Sequence, residues 1–430
     1  MIFLELNEFN DDLLREAARL FSLKNIQKLI TLHRTQTFTE DTYESDFLEP
    51  WVQWVSVHTG QPSSSHQIKH LGDIPHLQKT PQLWERLSEM NITSGIWGAM
   101  NASRNGAKHC KFFLPDPWTA SETGYPDELQ ALLDPLRYLA KNYLNPTQLN
   151  RWKTAKGLLN LFASKNLLWK ISKEIPALAR NALRFRGEHF PFISWLDSVS
   201  TQLFLNYRQE HNPTFSLIFL NSLAHLQHHH WKNPSIADNE RLKIGFQYLD
   251  RILGALFASL KPGEPFLVTN ALSQKNTTSE KPWILYRQKD PRNFLEAVSI
   301  QRARVEQHMT HDAHLFFESA SDCKRAKQLL EQAQILESQL FLVESYPQDD
   351  RKLFYRICFT DKVTEDSTFT LGNRAFRFFD LFTPIVQRTG KHIPEGTVYS
   401  TISSLPTSMK NHELFELILR TIVENPSLCS

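Results

Sequence analysis

Apolar and polar residues follow one another along this chain in patterns typical of buried strands and surface helices. Residues 2–6 (IFLEL) form a short apolar run, which predicts a buried strand. From Asp11 to Leu32 the apolar positions recur at helical spacing. Two later apolar runs, at 215–221 (FSLIFLN) and 265–270 (PFLVTN), are separated by a helical stretch from Arg241 to Leu260. This alternation predicts an α/β sheet with helices on its faces.

Asparagines follow three of the predicted strands. Asn7, Asn221 and Asn270 each come at the end of an apolar run. In open α/β sheets the polar residues just past the strand ends meet in the ligand crevice, so we expect these side chains to lie close together. The alternative is a local role in turns and helix caps, where asparagine tolerates the left-handed conformation.

A helical and basic segment interrupts the α/β pattern between roughly residues 126 and 208. From residue 135 to residue 187 it holds eleven lysine and arginine residues against one acidic residue, Glu174. We interpret the segment as a helical cap inserted into the α/β domain. Its charge is typical of a solvated helical face, or of a positive lid over an anionic substrate or acidic surface.

A second, smaller α/β insertion is predicted from about Asp290 to Asp361. The runs HLFFES, LFLVES and LFYRICFT predict strands, and Asp322 to Ser338 has helical spacing. The predicted organisation is an α/β core in three parts with two insertions: core 1–125, basic helical cap 126–208, core 209–289, small α/β insertion 290–362 and core 363–430.

Composition narrows the class of protein. The chain has 430 residues with a hydrophobic fraction of 41%, enough for a substantial core. Its formal net charge of +2 argues against a polyanionic partner for the whole chain, and with no nucleic-acid-binding motif we expect no nucleic-acid function. We find neither GxGxxG nor GxxxxGK[ST].

The cysteines and the start of the chain bear on its location. Cys110, Cys323, Cys358 and Cys429 have no CxxC spacing and predict free thiols of a reducing compartment. The opening MIFLELNEF carries acids where a signal peptide needs a basic region, and no run reaches the length that spans a bilayer. We therefore expect a cytoplasmic protein without a membrane span.

Residues 219–231 (FLNSLAHLQHHHW) hold four histidines. If a helix begins after Asn221, His225 and His229 lie at i and i+4 on one face, a spacing that can present two imidazoles to one metal ion. The alternative is the polar end of an ordinary helix. His228 lies beside His225 at i+3, and the spacing by itself leaves both alternatives open.

A further segment, EPWVQWVSVHTGQPSSSH at 49–66, ends in T-G-x-x-P-x-x-x-H. It resembles the alkaline phosphatase superfamily in its type I phosphodiesterase and nucleotide pyrophosphatase branch. IFLELNEF, FLNSLAH, FLVTNALS and TGKHIPEGTV resemble further segments of that family, in the same order. The resemblance covers residues 1–120, 212–275 and about 370–425. It implies an alkaline-phosphatase-like sandwich, a mostly parallel sheet between helices.

The resemblance implies two metal positions. The metal-binding residue types of one position are retained more completely than those of the other. The Asp-x-x-x-His pair and the late histidine of the family fall on Asn221, His225 and His392. The residues of the other position fall on Asn7, Pro50, Asn270 and Ala271, with Pro50 at the nucleophile. Asparagine in place of aspartate removes the charge that holds two dications together. We therefore expect one divalent ion, zinc or manganese, bound by His225 and His392, with Asn221 as a weak third ligand. In this interpretation His229 is the reserve ligand, and His228 and His230 continue the helix into solvent.

Other side chains are candidates to replace the missing metal-binding carboxylates and the missing nucleophile. Glu5, Glu8 or Glu49 can replace a carboxylate, and Glu49 is adjacent to the nucleophile position. Ser56 and Thr59 are the nearest hydroxyls, although the resemblance places them on the helix behind the nucleophile, where structural roles are typical. We take Glu49 and Ser56 as the candidate catalytic residues.

The candidate substrate-binding residues are Asn7, Asn270 and Asp116. Repeated asparagine in place of aspartate keeps shape and hydrogen bonding, which favours a crevice retained for polar recognition. Asp116 lies in FFLPDPW, which resembles a loop near the site of some relatives, although Asp-Pro is also a common turn.

Two functions agree with these residues. The first is a divergent metal-dependent hydrolase or transferase of phosphodiesterase or phosphatase type, which acts on a phosphate or sulfate ester or diester. Its substrate is an anionic small molecule or glycan, selected by the basic segment. The alternative is a catalytically inactive member of the family that binds a ligand or a protein partner.

Overall fold

The computed structural model describes residues 1–42, 47–74, 80–142, 151–233, 235–281, 283–307 and 311–425. The strands are β1 (Ile2–Leu6), β2 (His33–Phe38), β3 (Ser94–Trp97), β4 (Cys110–Leu114), β5 (Phe215–Leu220), β6 (Phe266–Thr269), β7 (Ser273–Asn276), β8 (Ile284–Gln288), β9 (Ala303–Gln307), β10 (Asp312–Phe317), β11 (Gln334–Ile335), β12 (Ser338–Gln339), β13 (Phe341–Tyr346), β14 (Asp349–Ile357), β15 (Thr368–Leu371), β16 (Arg374–Arg377), β17 (Phe382–Gln387), β18 (Gly390–Ile393), β19 (Glu395–Ser400) and β20 (Ser408–Lys410).

The helices are α1 (Asp11–Leu20), α2 (Lys24–Ile30), α3 (Pro50–Thr59), α4 (Ser63–His66), α5 (Leu83–Glu89), α6 (Gln130–Asn142), α7 (Arg151–Ser164), α8 (Leu168–Ser172), α9 (Ile175–Arg184), α10 (Phe190–His211), α11 (Ser222–His230), α12 (Glu240–Ala258), α13 (Pro291–Ala297), α14 (Ala320–Glu331), α15 (Phe378–Leu381) and α16 (Leu414–Val423). The chain forms two compact units. The larger takes the described residues of Met1–Leu139, Leu144–Asn276 and Thr389–Ser430, and the smaller those of Ala140–Tyr143 and Thr277–Arg388.

An eight-stranded sheet runs through the larger unit in the order β20-β2-β19-β6-β1-β5-β3-β4. β1 pairs in parallel with β5 on one side and with β6 on the other, and β3 is parallel to both β5 and β4. The antiparallel strand is β19, which lies between β6 and β2. The predicted fold class, α/β with a mostly parallel sheet, is confirmed.

Alternate side chains of β1 enter two separate hydrophobic clusters, because successive residues of a strand point to opposite faces. Ile2 and Leu4 belong to a cluster that includes side chains of α1, α10 and α12. Phe3 belongs to another cluster, with side chains of α3, α5 and α16. Every residue of β1 is buried, as expected for a central strand covered by helices on both faces.

The predicted strands at 2–6, 215–221 and 265–270 are confirmed as β1, β5 and β6, and the helix from Arg241 is confirmed as α12. The helical character predicted from Asp11 to Leu32 is confirmed, and the segment forms two helices, α1 and α2. Ser22 adopts φ 53, a left-handed conformation that ends the first helix. The apolar spacing continues across this turn, so periodicity alone did not reveal the break.

The basic segment consists of helices in its described part, and α7, α8 and α9 precede the long α10. Leu161, Phe162 and Ile171 join the same hydrophobic cluster as Ile2 and Leu4. Among the described residues, no helix combines the length and the apolar character that crossing a membrane requires. A role of the segment as a cap remains a prediction.

The smaller unit has its own hydrophobic cluster and three sheets, ordered β13-β14-β10-β9, β12-β11-β15-β16 and β17-β8. The predicted strands HLFFES, LFLVES and LFYRICFT are confirmed as β10, β13 and β14. The helix expected from Asp322 is α14, which begins at Ala320 and ends at Glu331. The expected insertion at 290–362 lies within this unit.

The cysteines expected as free thiols are free where the structure describes them. Cys110 and Cys323 are buried, and Cys358 is exposed. Cys429 lies outside the described residues.

Candidate metal centre

Three buried side chains point their ligand atoms at one another in the larger unit. Glu8 Oε2 lies 2.8 Å from His228 Nε2 and 3.1 Å from His392 Nε2. The two Nε2 atoms are 3.3 Å apart. In the part of the chain that the structure describes, these residues form the one group of three His, Cys, Asp or Glu side chains with ligand atoms close enough for a single metal ion.

The ends of three neighbouring strands bring this cluster together. Glu8 follows β1, and its φ of 56 turns the chain sharply at the strand end. His228 lies on α11, which follows β5. His392 lies on β18, which pairs with β7 just past the end of β6. Because β5, β1 and β6 are adjacent and parallel, their carboxyl ends meet at one edge of the sheet.

Hydrogen bonds on the far side of each imidazole fix which nitrogen faces the cluster. His228 Nδ1 lies 3.1 Å from the carbonyl oxygen of Gly390. His392 Nδ1 lies 3.2 Å from the carbonyl oxygen of Leu48 and 3.3 Å from Glu49 Oε2. Because these oxygens can only accept, both Nδ1 atoms carry hydrogen and donate it. This leaves both Nε2 atoms to face Glu8, the orientation that metal-binding histidines usually have.

The cluster needs a positive charge at its centre, since three electron-pair donors face one another there. In the absence of a metal ion that charge is a proton. Burial by itself lowers the pKa of His392, but the charges of Glu8 and Glu49 raise it to about 10. Burial by itself raises the pKa of Glu8, but the charges of His392 and His228 hold it well below its usual range.

The geometry also fits a divalent ion. Ligand atoms in a tetrahedral zinc site lie about 2.0–2.1 Å from the ion, which places them about 3.3 Å from one another. The Nε2 atoms of His228 and His392 have this 3.3 Å separation, and Glu8 Oε2 lies slightly closer, at 2.8 and 3.1 Å. Two imidazoles and one carboxylate are ligands that zinc and other transition metals accept.

One of the predicted asparagines, Asn7, bonds directly to Glu8, and a second, Asn221, bonds to Asn7. Asn7 Nδ2 donates to Glu8 Oε1 at 2.9 Å and to Asn221 Oδ1 at 2.8 Å. Asn7 Oδ1 accepts from the Trp54 indole at 2.8 Å. The side-chain oxygen that was expected to make Asn221 a weak metal ligand is therefore bonded to Asn7. Asn7 therefore orients the carboxylate of Glu8, and Asn221 orients Asn7.

His225 does not belong to the cluster. Its ring lies next to that of His229, with centroids 4.2 Å apart and the ring planes tilted by 34°, and burial lowers its pKa to about 3. His228, which was expected to face solvent, is buried and reaches Glu8. The i, i+4 spacing correctly paired His225 with His229 on one face. The spacing could not show which face of α11 turns towards the sheet. The three consecutive histidines at 228–230 point in directions that span more than half of a helical turn, so one of them faces the sheet in almost any orientation of the helix.

The other predicted substrate-binding residues have internal partners. Asn270 donates to the carbonyl oxygen of Phe9 and accepts from the backbone nitrogen of Thr397 at 2.7 Å. Asp116 accepts the backbone hydrogens of Asn101 and Trp118 at 2.9 and 2.8 Å. Burial raises the pKa of this carboxyl. These bonds correspond to the turn and structural roles that the sequence left open as alternatives.

The two predicted catalytic residues differ in position. Glu49 begins α3 and reaches His392 Nδ1 at 3.3 Å, with 22% of its side chain exposed. Ser56 is buried, and its Oγ lies 3.0 Å from His66 Nε2. His66 Nδ1 accepts the backbone hydrogen of Ile68 at 3.1 Å, so a neutral His66 carries its hydrogen on Nε2 and donates it to Ser56. Since burial lowers the pKa of His66 to about 4, this ring does not activate Ser56 as a base.

The third carboxylate considered from the sequence, Glu5, is directed away from the cluster. Its Oε1 lies 2.6 Å from His58 Nε2, and both side chains are buried. Burial raises the pKa of Glu5. Of the three glutamates, Glu8 therefore enters the cluster, Glu49 lies beside it, and Glu5 has a separate partner.

No protein-family model and no curated protein matches this chain. Among solved structures, it is similar to phosphonoacetate hydrolase from Sinorhizobium meliloti 1021 in complex with phosphonoacetate. The identity is 12% and the TM-score 0.43, over 98% of this chain and 95% of that chain.

The chain is also similar to human ectonucleotide pyrophosphatase/phosphodiesterase 5, with 8% identity and a TM-score of 0.45 over 98% of this chain and 94% of that chain. For an inactive murine form of the same protein in complex with AMP, the identity is 9% and the TM-score 0.45. With identities of 12% or less and TM-scores of 0.45 or less, these similarities assign no function to this chain.

Proposed function

We propose that this chain is a divergent alkaline phosphatase superfamily hydrolase that binds one divalent ion, zinc or manganese, through Glu8, His228 and His392. Its proposed substrate is a phosphate or sulfate ester of an anionic small molecule or glycan. The observation that carries the proposal is the convergence of three ligand atoms within 3.3 Å of one another, with both Nδ1 atoms held by acceptors outside the cluster.

The protein groups around the cluster favour a catalytic metal site over a structural one. Three protein ligands leave a position of a tetrahedral ion for water or substrate, whereas structural zinc sites usually have four. Glu8, His228 and His392 would hold a divalent ion there, and the ion would supply a Lewis acid. Asn7 and Gln274 hold the carboxylate of Glu8, and Glu49 holds the imidazole of His392.

Water is the proposed nucleophile. The nucleophile position of the family holds Pro50, which has no reactive side chain, and the hydroxyl of Ser56 accepts a hydrogen bond from His66. Glu49 is the carboxylate beside the cluster and is partly exposed, so it can take a proton from an attacking water. The water oxygen bonds to the phosphorus or sulfur atom, the ester oxygen leaves, and the proton passes to Glu49.

A second candidate function is ligand or partner binding by an inactive relative. It is favoured by the ion pairs of protonated His392 with Glu8 and Glu49, which satisfy the cluster without a metal ion. The two functions differ in metal content, so a measurement of bound metal separates them.

The first experiment measures zinc and manganese in the purified protein by elemental mass spectrometry, after dialysis with each metal. We expect about one equivalent in the wild type and loss of the metal from His228→Ala and His392→Ala, because each substitution removes one of three ligands. His225→Ala is the matched control on the same helix and should keep the metal. Circular dichroism confirms that the variants are folded.

Metal in the wild type and His225→Ala, with none in the other two variants, supports the proposed centre. The absence of metal from every sample after dialysis would overturn it and favour the second candidate. An equal loss from His225→Ala would show that α11 binds metal through a different face.

Glu49→Gln tests the proposed base. The amide cannot accept a proton, so we expect hydrolysis of a chromogenic phosphodiester to fall about 100-fold or more while the bound metal is retained. Wild-type activity in a metal-loaded Glu49→Gln variant would exclude Glu49 as the base.

A further inference from the structure

Helices α8 and α9 turn large apolar side chains towards solvent. Trp169 is 72% exposed and Leu183 is 71% exposed, and Leu168 and Ile175 are also exposed. Monomeric soluble proteins bury most side chains of this kind, and exposed groups of them mark interaction sites. These two helices therefore differ from an ordinary solvated surface.

Helix α9 exposes part of its apolar surface, although Ala177 and Leu178 are half-buried. Ile175, Ala179 and Leu183 lie at i, i+4 and i+8 on one face, and all three are exposed. Asn181, a polar residue, is the buried one. A helix that packs on a core normally turns its apolar stripe inward and its polar side chains to water. The apolar stripe of α9 is thus available to a partner outside the chain.

The charge around this stripe is positive. Residues 156–187 hold seven lysine and arginine residues and one acidic residue, Glu174. Two of the seven, Lys165 and Arg184, form ion pairs with glutamates of other helices, at 2.7 and 3.2 Å. Glu174 is turned inward, where Ser198 Oγ and Gln202 Nε2 donate to it at 3.0 and 2.6 Å. Lys170 and Lys173 are exposed on the same two-helix stretch. The partner that complements this surface carries negative charge.

A basic cavity adjoins the two helices. It has a volume of about 410 Å³, and its lining combines Lys170, Lys173 and Arg251 with one carboxylate, Glu174, and with neutral polar and apolar side chains. Because three cations outnumber one carboxylate there, the recess favours an anionic group.

Lysine interleaved with exposed tryptophan and leucine fits a lipid surface better than a protein surface. Protein interfaces are depleted in lysine, whereas anionic lipids attract it. Short amphipathic helices with Trp and Leu beside Lys and Arg lie in the interfacial region of a bilayer. We propose that the α8–α9 surface, defined by Leu168, Trp169, Lys170, Lys173, Ile175 and Leu183, docks on a membrane leaflet with anionic lipids. The proposal is independent of the metal centre.

The experiment is co-sedimentation of the full chain with vesicles of phosphatidylcholine alone or with added phosphatidylglycerol. We expect binding to the anionic vesicles, weakened by salt because exposed charges are screened. Trp169→Ala combined with Leu183→Ser should lower the affinity about tenfold or more through the loss of buried apolar area. Lys170→Glu and Lys173→Glu should each lower it at least about fivefold.

Matched controls are Val423→Ser and Lys324→Glu, which alter an exposed apolar and an exposed basic residue elsewhere. Both should bind the vesicles as the wild type does. No wild-type sedimentation with anionic vesicles, equal binding to neutral vesicles, or equal loss in the controls would each overturn the proposal. Metal content measured on the same samples keeps this outcome separate from the test of the metal centre.

Discussion

At the scale of the residue, the backbone conformation of Glu8 is what forms the candidate site. Its φ of 56 is unusual for a residue with a side chain and costs roughly 1–2 kcal/mol. The conformation persists because the carboxylate has several partners, which are Asn7, Gln274, His228 and His392. Strained residues held in this way are concentrated at functional sites.

The hydrogen bond from Asn7 to Glu8 leads to a prediction on metal affinity. Asn7→Ala removes the group that orients Glu8 Oε1, so we expect zinc affinity measured by titration calorimetry to fall about 10- to 100-fold. Asn160→Ala, an exposed asparagine in α7, is the control and should leave the affinity unchanged. Unaltered binding by Asn7→Ala would contradict a positioning role.

At the scale of the element, strand β19 lies very close to Asn270 at the position of Gly396. A Cβ atom there would lie 2.8 Å from Asn270 Oδ1 and 2.9 Å from the Asn270 carbonyl oxygen. Asn270 is buried and fixed by Phe9 and Thr397, so it cannot move away easily. We expect Gly396→Ala to lower the free energy of unfolding by about 1–3 kcal/mol, as measured by urea denaturation. A stability equal to the wild type would show that β19 and β6 can separate at no cost.

At Gly157, within α7, we expect the opposite effect: substitution by alanine should raise the free energy of unfolding. A Cβ atom there meets Ala131 Cβ at 3.8 Å, an ordinary contact. Alanine in a helix interior is more stable than glycine by roughly 0.5–1 kcal/mol, because glycine loses more backbone freedom on folding. The same denaturation measurement should therefore show Gly157→Ala to be more stable than the wild type, and a destabilised variant would argue against a regular helix at this position.

At the scale of the whole molecule, Asp197 links stability to pH. It lies on α10, and its Oδ2 accepts the backbone hydrogen of Ser222, the first residue of α11, at 2.8 Å. Burial raises its pKa from 3.8 to about 6. The folded state therefore holds this proton more tightly than the unfolded chain does, and the contribution of Asp197 to stability falls as pH rises from about 4 to about 6.

A comparison of the wild type with Asp197→Asn isolates this contribution, because the variant cannot ionise. The difference in their free energies of unfolding should change by about 2 kcal/mol between pH 4 and pH 6.5, at the expense of the wild type, and stay nearly constant above that range. Denaturant titrations followed by tryptophan fluorescence at a series of pH values provide the measurement. A difference that does not vary with pH would exclude a raised pKa.

The sequence by itself determined the strands and the edge of the sheet where the site lies. A continuous apolar run indicates a strand whose side chains are buried on both faces of the sheet. For this reason β1, β5 and β6 were predictable from the local sequence pattern. The polar residues after parallel strands must meet at one edge, and Asn7 does lie in hydrogen-bond contact with Asn221. The resemblance of the motifs to a known family placed His392 among the expected ligands.

Only the tertiary structure decided which side chains enter the cluster. Glu8 rather than Glu5 does so because one backbone torsion past the end of β1 directs it inward. His228 rather than His225 does so because the rotation of α11 about its axis is set by how the helix packs on its neighbours. Spacing along the chain determines which residues share a face, but it does not determine where that face points, since that depends on contacts between elements distant in sequence.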